Sequence, residues 1–335
     1  MVRVGICGFG GLGHGHANSV WLLDGVEVTA VCDINPEQLA KKDIAFNIKQ
    51  EASQFDISTC RIYLDYRDML AHENLDAMVI ALPTDLHADY SIEAMRNGCH
   101  VLSEKPMALS VEDCSRMIEA RDKHGRQLMI GQCLRFWPEY EYLLACIRDG
   151  RFGKLHSLIM ERIGSYPSQD PTNWFMDHRR SGGAIIDLHV HDLDWVQMAF
   201  GKPKNISAIG VQGKTGGIDD ITALLEYDDT AITIRGSWMC ASGFHMGYKA
   251  IFEDATVDYS SSSCPTIIVS RVGSANPEVV NVDAESAYLR EMRYFIGCVN
   301  GDHDNLVCPA ESTRESISLV LQEQRIILDR KGSKL

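Results

Sequence analysis

The sequence predicts an α/β protein with two domains: an N-terminal doubly wound parallel sheet and a C-terminal α/β domain carrying a large, mostly antiparallel open sheet. Three observations carry that expectation. Apolar strand runs alternate with helical patterns through about residue 125. The rhythm changes after Pro138, where strands follow one another with few helices between them. The chain has 335 residues, more than one ordinary domain holds. The expected domains are residues 1–125 and 126–335.

The first apolar run, from Val2, ends in Gly8-Phe9-Gly10-Gly11-Leu12-Gly13, spaced G-x-G-x-x-G, and a helical pattern follows from His14 through Leu23. A strand, a tight turn and a helix N-terminus in that order form a phosphate cradle. Gly8 permits the turn, Gly10 leaves room for a pyrophosphate against backbone, and Gly13 lets the helix pack close. The helix start offers N–H groups and partial positive charge to the phosphates. Glu27–Asp33 reads as a second strand ending in an acid, and Asp33 stands 20 residues beyond Gly13. That is the spacing of the group that holds an adenosine ribose. A carboxylate there accepts from the ribose hydroxyls and repels a 2′-phosphate, so NAD is expected rather than NADP. Gly8, Phe9, Gly10, Leu12, Gly13 and Asp33 are therefore the first candidate cofactor contacts.

Further along, Asn35-Pro36 opens a helix, and Asp65–Leu70 looks like a short one. Leu75–Leu82 is a strand stopped by Pro83, and Thr84 can cap the helix that ends at Gly98. Cys99–Ser103 is the next strand. Ser110 and Asp113 form a capping box for a helix ending at Gly125, and Gln127–Gly131 is another strand. In such sheets ligands lie beyond the carboxyl ends of the strands, where Pro83, Thr84, Glu104 and Lys105 fall.

After Pro138 come a helix, Glu139–Asp149, a strand, Leu155–Ile163, and an irregular stretch to Ser181. Gly182-Gly183 introduces one apolar helical segment to Phe200. Strands are expected at 205–211, 221–227, 231–239, 248–253, 256–259 and 267–272, and helices at 287–299 and 310–328.

Composition narrows the class. Hydrophobic residues are 45% and charged residues 23% of the chain, as in soluble globular proteins. The net charge of −14 argues against nucleic acid and anionic membrane surfaces as partners. No apolar run approaches the ~20 residues of a membrane span. The sequence moves from Met1 directly into its first strand, without a signal-peptide pattern. The eleven cysteines are scattered, with no C-x-x-C pair. This suits a reducing cytoplasm and gives no expectation of a metal site.

Two stretches carry candidate chemistry. Lys105, in Ser103-Glu104-Lys105-Pro106, is placed to hydrogen-bond a substrate oxygen and stabilise developing negative charge; a surface lysine in a turn fits the same residues. Glu104 would orient it or meet the cofactor ribose. In Gly182–Asp194, Asp187 and His191 stand four apart on one helix face, and Asp194 continues that face. A carboxylate beside an imidazole raises its basicity, as a general base requires, and a buried structural pair fits equally. His189 points elsewhere on a helix, which argues against His-Val-His as a metal pair. Arg135 is a candidate for cofactor or substrate, or for an ion pair with one of the many acids. Trp174, His178, Arg179 and Arg180 could wall a sugar site or form a surface loop.

Taken together, Gly8–Gly13, His16, Asp33, Pro83-Thr84 with His87, Glu104-Lys105-Pro106, Arg135 with Pro138, and Gly182-Gly183-x-x-x-Asp187-x-x-x-His191-x-x-Asp194 resemble the glucose–fructose oxidoreductase / inositol dehydrogenase / MocA family. The resemblance runs from residue 1 to about 200. It implies a Rossmann domain followed by an α/β domain whose open sheet often makes dimer or tetramer contacts. It implies NAD as cofactor, with Pro83, Thr84, His87, Glu104, Lys105 and Arg135 among its contacts. It also implies Lys105, Asp187 and His191 as the catalytic set, and a cis Lys105–Pro106 bond. Lys105, Arg135, Trp174, His178, Asp187 and His191 are then the candidate substrate contacts. His189 and the His178-Arg179-Arg180 run depart from the general pattern and are expected in a subgroup's substrate pocket. The implied activity is NAD-dependent oxidation of a secondary hydroxyl of a sugar, sugar acid or cyclitol. The alternative is a glycosidase that retains NAD and oxidises its sugar transiently. A small polyhydroxylated substrate and a homodimer or homotetramer are the expected partners.

Overall fold

The structure is a computed structural model that describes residues 1–41, 54–263 and 266–332. In chain order the first elements are β1 (Val2–Cys7), α1 (Gly11–Trp21), β2 (Val26–Cys32), α2 (Pro36–Ala40), β3 (Arg61–Tyr63), α3 (Tyr66–His72), β4 (Ala77–Ile80), α4 (His87–Arg96), β5 (His100–Glu104), α5 (Val111–His124) and β6 (Leu128–Gly131). Then come α6 (Pro138–Asp149), β7 (Leu155–Ile163), α7 (His178–Ser181), α8 (Gly183–Asp187), α9 (Val190–Phe200) and β8 (Asn205–Gln212). The chain continues with β9 (Ile218–Glu226), β10 (Ala231–Ser237), β11 (His245–Phe252), β12 (Ala255–Ser260), β13 (Ile267–Arg271), β14 (Glu278–Val280), α10 (Ala287–Asn300) and α11 (Ala310–Gly332).

The chain divides into two units that are not consecutive in sequence: Met1–Phe136 with Glu285–Arg314, and Trp137–Ala284 with Glu315–Leu335. The first therefore runs past residue 125 to include β6, and it also takes in α10.

In the first unit six strands pair in the order β3-β2-β1-β4-β5-β6, all parallel. This is the doubly wound arrangement of a Rossmann sheet. Its inner strands are apolar on both faces, as β4 shows with Ala77, Met78, Val79 and Ile80 all buried, because helices cover both sides. Local sequence sets the helix starts. Asp65 accepts from the Arg67 and Asp68 amides, Asn35 from Glu37, and Ser110 from Asp113. β3 was not expected: three residues are too few to show a period.

In the second unit eight strands pair in the order β14-β13-β12-β11-β7-β10-β9-β8. Only β7 and β10 are parallel; the other pairs are antiparallel. Strand alternation separates two faces. In β7, Leu158, Met160 and Arg162 are buried while Ile159 is exposed. The far face carries exposed apolar residues among charged ones: Ile159, Ile209, Val211, Leu224 and Ile251. Among the described residues, no helix is long and apolar enough to cross a membrane.

Candidate functional site

The first unit builds a phosphate cradle at the carboxyl ends of its strands. Gly8 has φ +89°, a conformation side chains rarely adopt, and a Cβ there would run into the Ala81 carbonyl. A Cβ at Gly13 would run into the Gly8 carbonyl, so α1 sits directly on the turn. Gly10 has open space where a Cβ would point. No side chain caps α1 and no acid lies in its first turn, which leaves that end to an anion. The Phe9 side chain is fully buried against His14, with ring centroids 4.0 Å apart, and Leu12 is half-buried. Asp33, just beyond β2, accepts from the Phe9 amide at 2.7 Å and from the Asn35 amide at 2.8 Å.

Pro83 and Thr84 follow β4, and Glu104 ends β5, so these residues share that edge with the glycine turn and Asp33. Thr84 is buried, and its hydroxyl has no partner among the described residues. Such an orphaned polar atom beside a phosphate cradle fits a dinucleotide's polar groups. The Lys105–Pro106 bond is cis. The Lys105 amide donates to Glu104 Oε2 at 3.1 Å, and Glu104 Oε1 lies 2.6 Å from Nε2 of buried His16.

Two candidates are occupied structurally. His87 is buried with Nδ1 2.8 Å from the Pro106 carbonyl and Nε2 2.8 Å from the Leu82 carbonyl. Burial holds its pKa below the ordinary histidine value, so a neutral ring donates to one carbonyl at a time. It braces the loop after β4 against the cis bond. Arg135 is likewise buried and donates to the Val307 carbonyl at 2.8 Å and the Ser312 hydroxyl at 3.0 Å.

In the second unit the expected single helix from Gly183 to Phe200 is two helices. The Leu188 and His189 amides both donate to the Ala184 carbonyl, at 3.0 and 2.9 Å. The second of these spans five residues, so an extra residue enters the turn between the two helices. Asp187 is the last residue of α8 and His191 the second of α9, both buried.

Buried polar contacts hold this elbow. His189 Nε2 lies 2.9 Å from Glu323 Oε2, both side chains fully enclosed, so His189 is a core residue and not part of a substrate pocket. Asp192 accepts from Arg162 at 3.0 Å and from the Tyr140 hydroxyl at 3.3 Å. Asp194 accepts from the Ser316 hydroxyl at 2.7 Å. Asp219 accepts from the Thr215 hydroxyl at 2.6 Å. The sequence reading missed Arg162, Asp219 and Glu323. Two carried a signal: Arg162 is a charge at an inward strand position after Leu158 and Met160, and Glu323 shares a helix stripe with Ser316, Val320 and Ile327.

Trp174 stacks on Phe175 at 3.8 Å, and His178 Nδ1 is 3.1 Å from the Thr215 carbonyl. Arg179 pairs with Asp177 beside it, exposed. Among the described residues, no group of three or more His, Cys, Asp or Glu is arranged to hold a metal ion.

A parallel sheet in the order 3-2-1-4-5-6, with a glycine cradle at its carboxyl edge and an acid after the second strand, defines a dinucleotide-binding protein. The comparisons agree. Residues 2–132 match the model described as "Oxidoreductase family, NAD-binding Rossmann fold", and residues 140–258 match the "GFO/IDH/MocA C-terminal domain". The chain therefore belongs to the Gfo/Idh/MocA family of NAD-binding oxidoreductases.

Among its relatives are an uncharacterized oxidoreductase, ORF334, of Rhizobium meliloti (30% identical over 67% of this chain and 64% of that protein) and a myo-inositol 2-dehydrogenase of Thermotoga maritima (27%, over 70% and 67%). A glycosyl hydrolase family 109 protein of Shewanella putrefaciens is 32% identical over 46% of this chain and 33% of its own length. The matched stretch thus spans from a third to two thirds of these curated relatives. The solved WlbA dehydrogenase of Bordetella pertussis, in complex with NADH and UDP-GlcNAcA, shares the fold with a TM-score of 0.78, 24% identity and coverage of 97% of this chain and 96% of that one.

Proposed function

We propose that the protein is an NAD-dependent dehydrogenase that oxidises a secondary hydroxyl of a sugar, sugar acid or cyclitol. The observation that carries this reading is the carboxyl edge of the first sheet, where Gly8–Gly13, Asp33, Thr84 and Lys105 converge. Gly8, Phe9, Gly10, Leu12 and Gly13 would hold the pyrophosphate, Asp33 the adenosine ribose, and Pro83, Thr84 and Glu104 the nicotinamide half. When bound, NAD supplies the hydride acceptor.

This chain's residues then manage the proton and the charge. His191 takes the hydroxyl proton. Asp187 orients the imidazole and stabilises its charged form. Lys105 donates to the reacting oxygen and offsets negative charge there as the carbonyl forms. Trp174 and His178 are proposed as substrate contacts; the contacts of His87 and Arg135 favour supporting roles over direct ones. Reduction of the ketone runs the same steps in reverse. A panel of sugars, inositols and sugar acids incubated with NAD, followed by NADH absorbance, tests the reading; no NADH from any member counts against it.

The second reading is a glycosidase that retains NAD, and the family 109 relative favours it. It requires NAD to co-purify with the protein and a glycoside to be cleaved without net NADH. We further propose a homodimer or homotetramer formed on the exposed face of the second sheet.

A further inference from the structure

The first unit buries an acid that the proposed reaction does not use. Glu291 lies in the apolar stripe of α10 that Ala287, Phe295 and Cys298 continue. It is fully enclosed, and neither carboxyl oxygen has a hydrogen-bond partner among the described residues. α10 packs on α1, and Tyr288, one turn before Glu291, meets the His16 ring edge-on at 6.5 Å. Tyr288 thus links this turn of α10 to His16, His16 is bonded to Glu104, and Glu104 takes the Lys105 amide; the charges of Glu104 and Glu291 both act on Tyr288, as does Cys133 from the turn after β6.

The two acids differ in their partners. Glu104 has the His16 ring on one oxygen and the Lys105 amide on the other. Glu291 has neither. A buried carboxylate without donors is costly, and two neighbouring carboxylates in low dielectric do not both ionise. We propose that Glu104 and Glu291 hold one proton between them, resident on Glu291, which makes Glu291 a positioning residue for Lys105. With Glu291 neutral, Glu104 keeps a single negative charge and stays on the Lys105 amide. With Glu291 ionised, the two acids repel and the backbone beneath Lys105 loses its acceptor. Burial, and then the charge of Glu104, push the Glu291 carboxyl well above the usual range, in the same direction.

Infrared titration of the full chain reads the carbonyl stretch of a protonated carboxylic acid. A protonated band should persist at neutral pH and vanish in Glu291→Gln. In Glu104→Gln the Glu291 midpoint should fall by about one pH unit or more, because the repelling charge is gone. A neutral-pH band that survives in Glu291→Gln, or an unmoved midpoint in Glu104→Gln, overturns the shared proton; the second arm stands if Glu291→Gln does not fold. The positioning role rests on the dehydrogenase reading. Turnover should fall as pH rises through the infrared midpoint, and Glu291→Gln should abolish that limb. The same limb in both proteins overturns positioning, while the infrared result stands whether or not a substrate is found.

Discussion

The Phe9 amide donates to Asp33 Oδ2 at 2.7 Å, so the acid after the second strand is tied to the glycine turn itself. On the proposed reading this carboxylate holds the adenosine ribose. Asp33→Ser should therefore weaken NAD on the order of ten- to a hundredfold, the worth of hydrogen bonds to a charged group, and narrow the gap to NADP. Initial rates with both cofactors check this. A wild-type protein that prefers NADP would contradict the assignment.

The catalytic division of labour has its own signature. His191→Ala should lower turnover by roughly 10²–10⁴ with NAD affinity little changed. Lys105→Ala should lower turnover and also weaken the cofactor. Asp187→Asn should fall between wild type and His191→Ala. Oxidation should rise with pH through a limb that His191→Ala removes. If Lys105→Ala abolishes the limb and His191→Ala leaves it, the roles are reversed.

The elbow between α8 and α9 should depend on Glu323. Glu323→Leu leaves the buried His189 ring nitrogen without its partner, a loss of about 1–3 kcal/mol. Glu323→Gln keeps an acceptor and should cost less. Thermal midpoints of the three proteins decide it; equal midpoints for Leu and Gln would show that the contact contributes only packing.

Association should follow the outer face of the second sheet. Ile159 and Leu224 are exposed there on strands that flank β10. Wild-type protein should scatter light as a dimer or tetramer at micromolar concentration, and Ile159→Glu with Leu224→Glu should shift it toward monomer. A monomeric wild type would reject the proposal.

Glu291 should also mark the pH dependence of stability. Its folded-state pKa is raised, so the native state keeps a proton that the unfolded chain releases near the ordinary glutamate range. The unfolded state then binds fewer protons, and stability must fall as pH rises. The contribution is full below that range and lost as pH climbs through the folded-state value. Urea midpoints across pH should decline more steeply in wild type than in Glu291→Gln. A shallower wild-type decline would give the shift the wrong sign.

What could be read from the sequence was whatever repeats locally. The strand, glycine turn and helix from Val2 to Trp21, the acid at Asp33, the short helix after Asp65 and the cap at Ser110 each follow from a few adjacent residues. So does the change from alternating to consecutive strands, because strand and helix periods are properties of short windows. Tertiary structure decided what depends on distant partners. β3 and β14 are three residues each and exist because a neighbouring strand pairs with them. The helix through Leu188 breaks where His189, Asp192 and Asp194 are drawn to Glu323, Arg162 and Ser316, residues far away in sequence. The hydrogen bonds of His87 to the Pro106 carbonyl and of Arg135 to Val307 and Ser312 are likewise invisible to the sequence. α10 joins the first unit although the chain reaches it only after the second sheet. A buried polar group must find its partner wherever the fold supplies one, and no local window contains that partner.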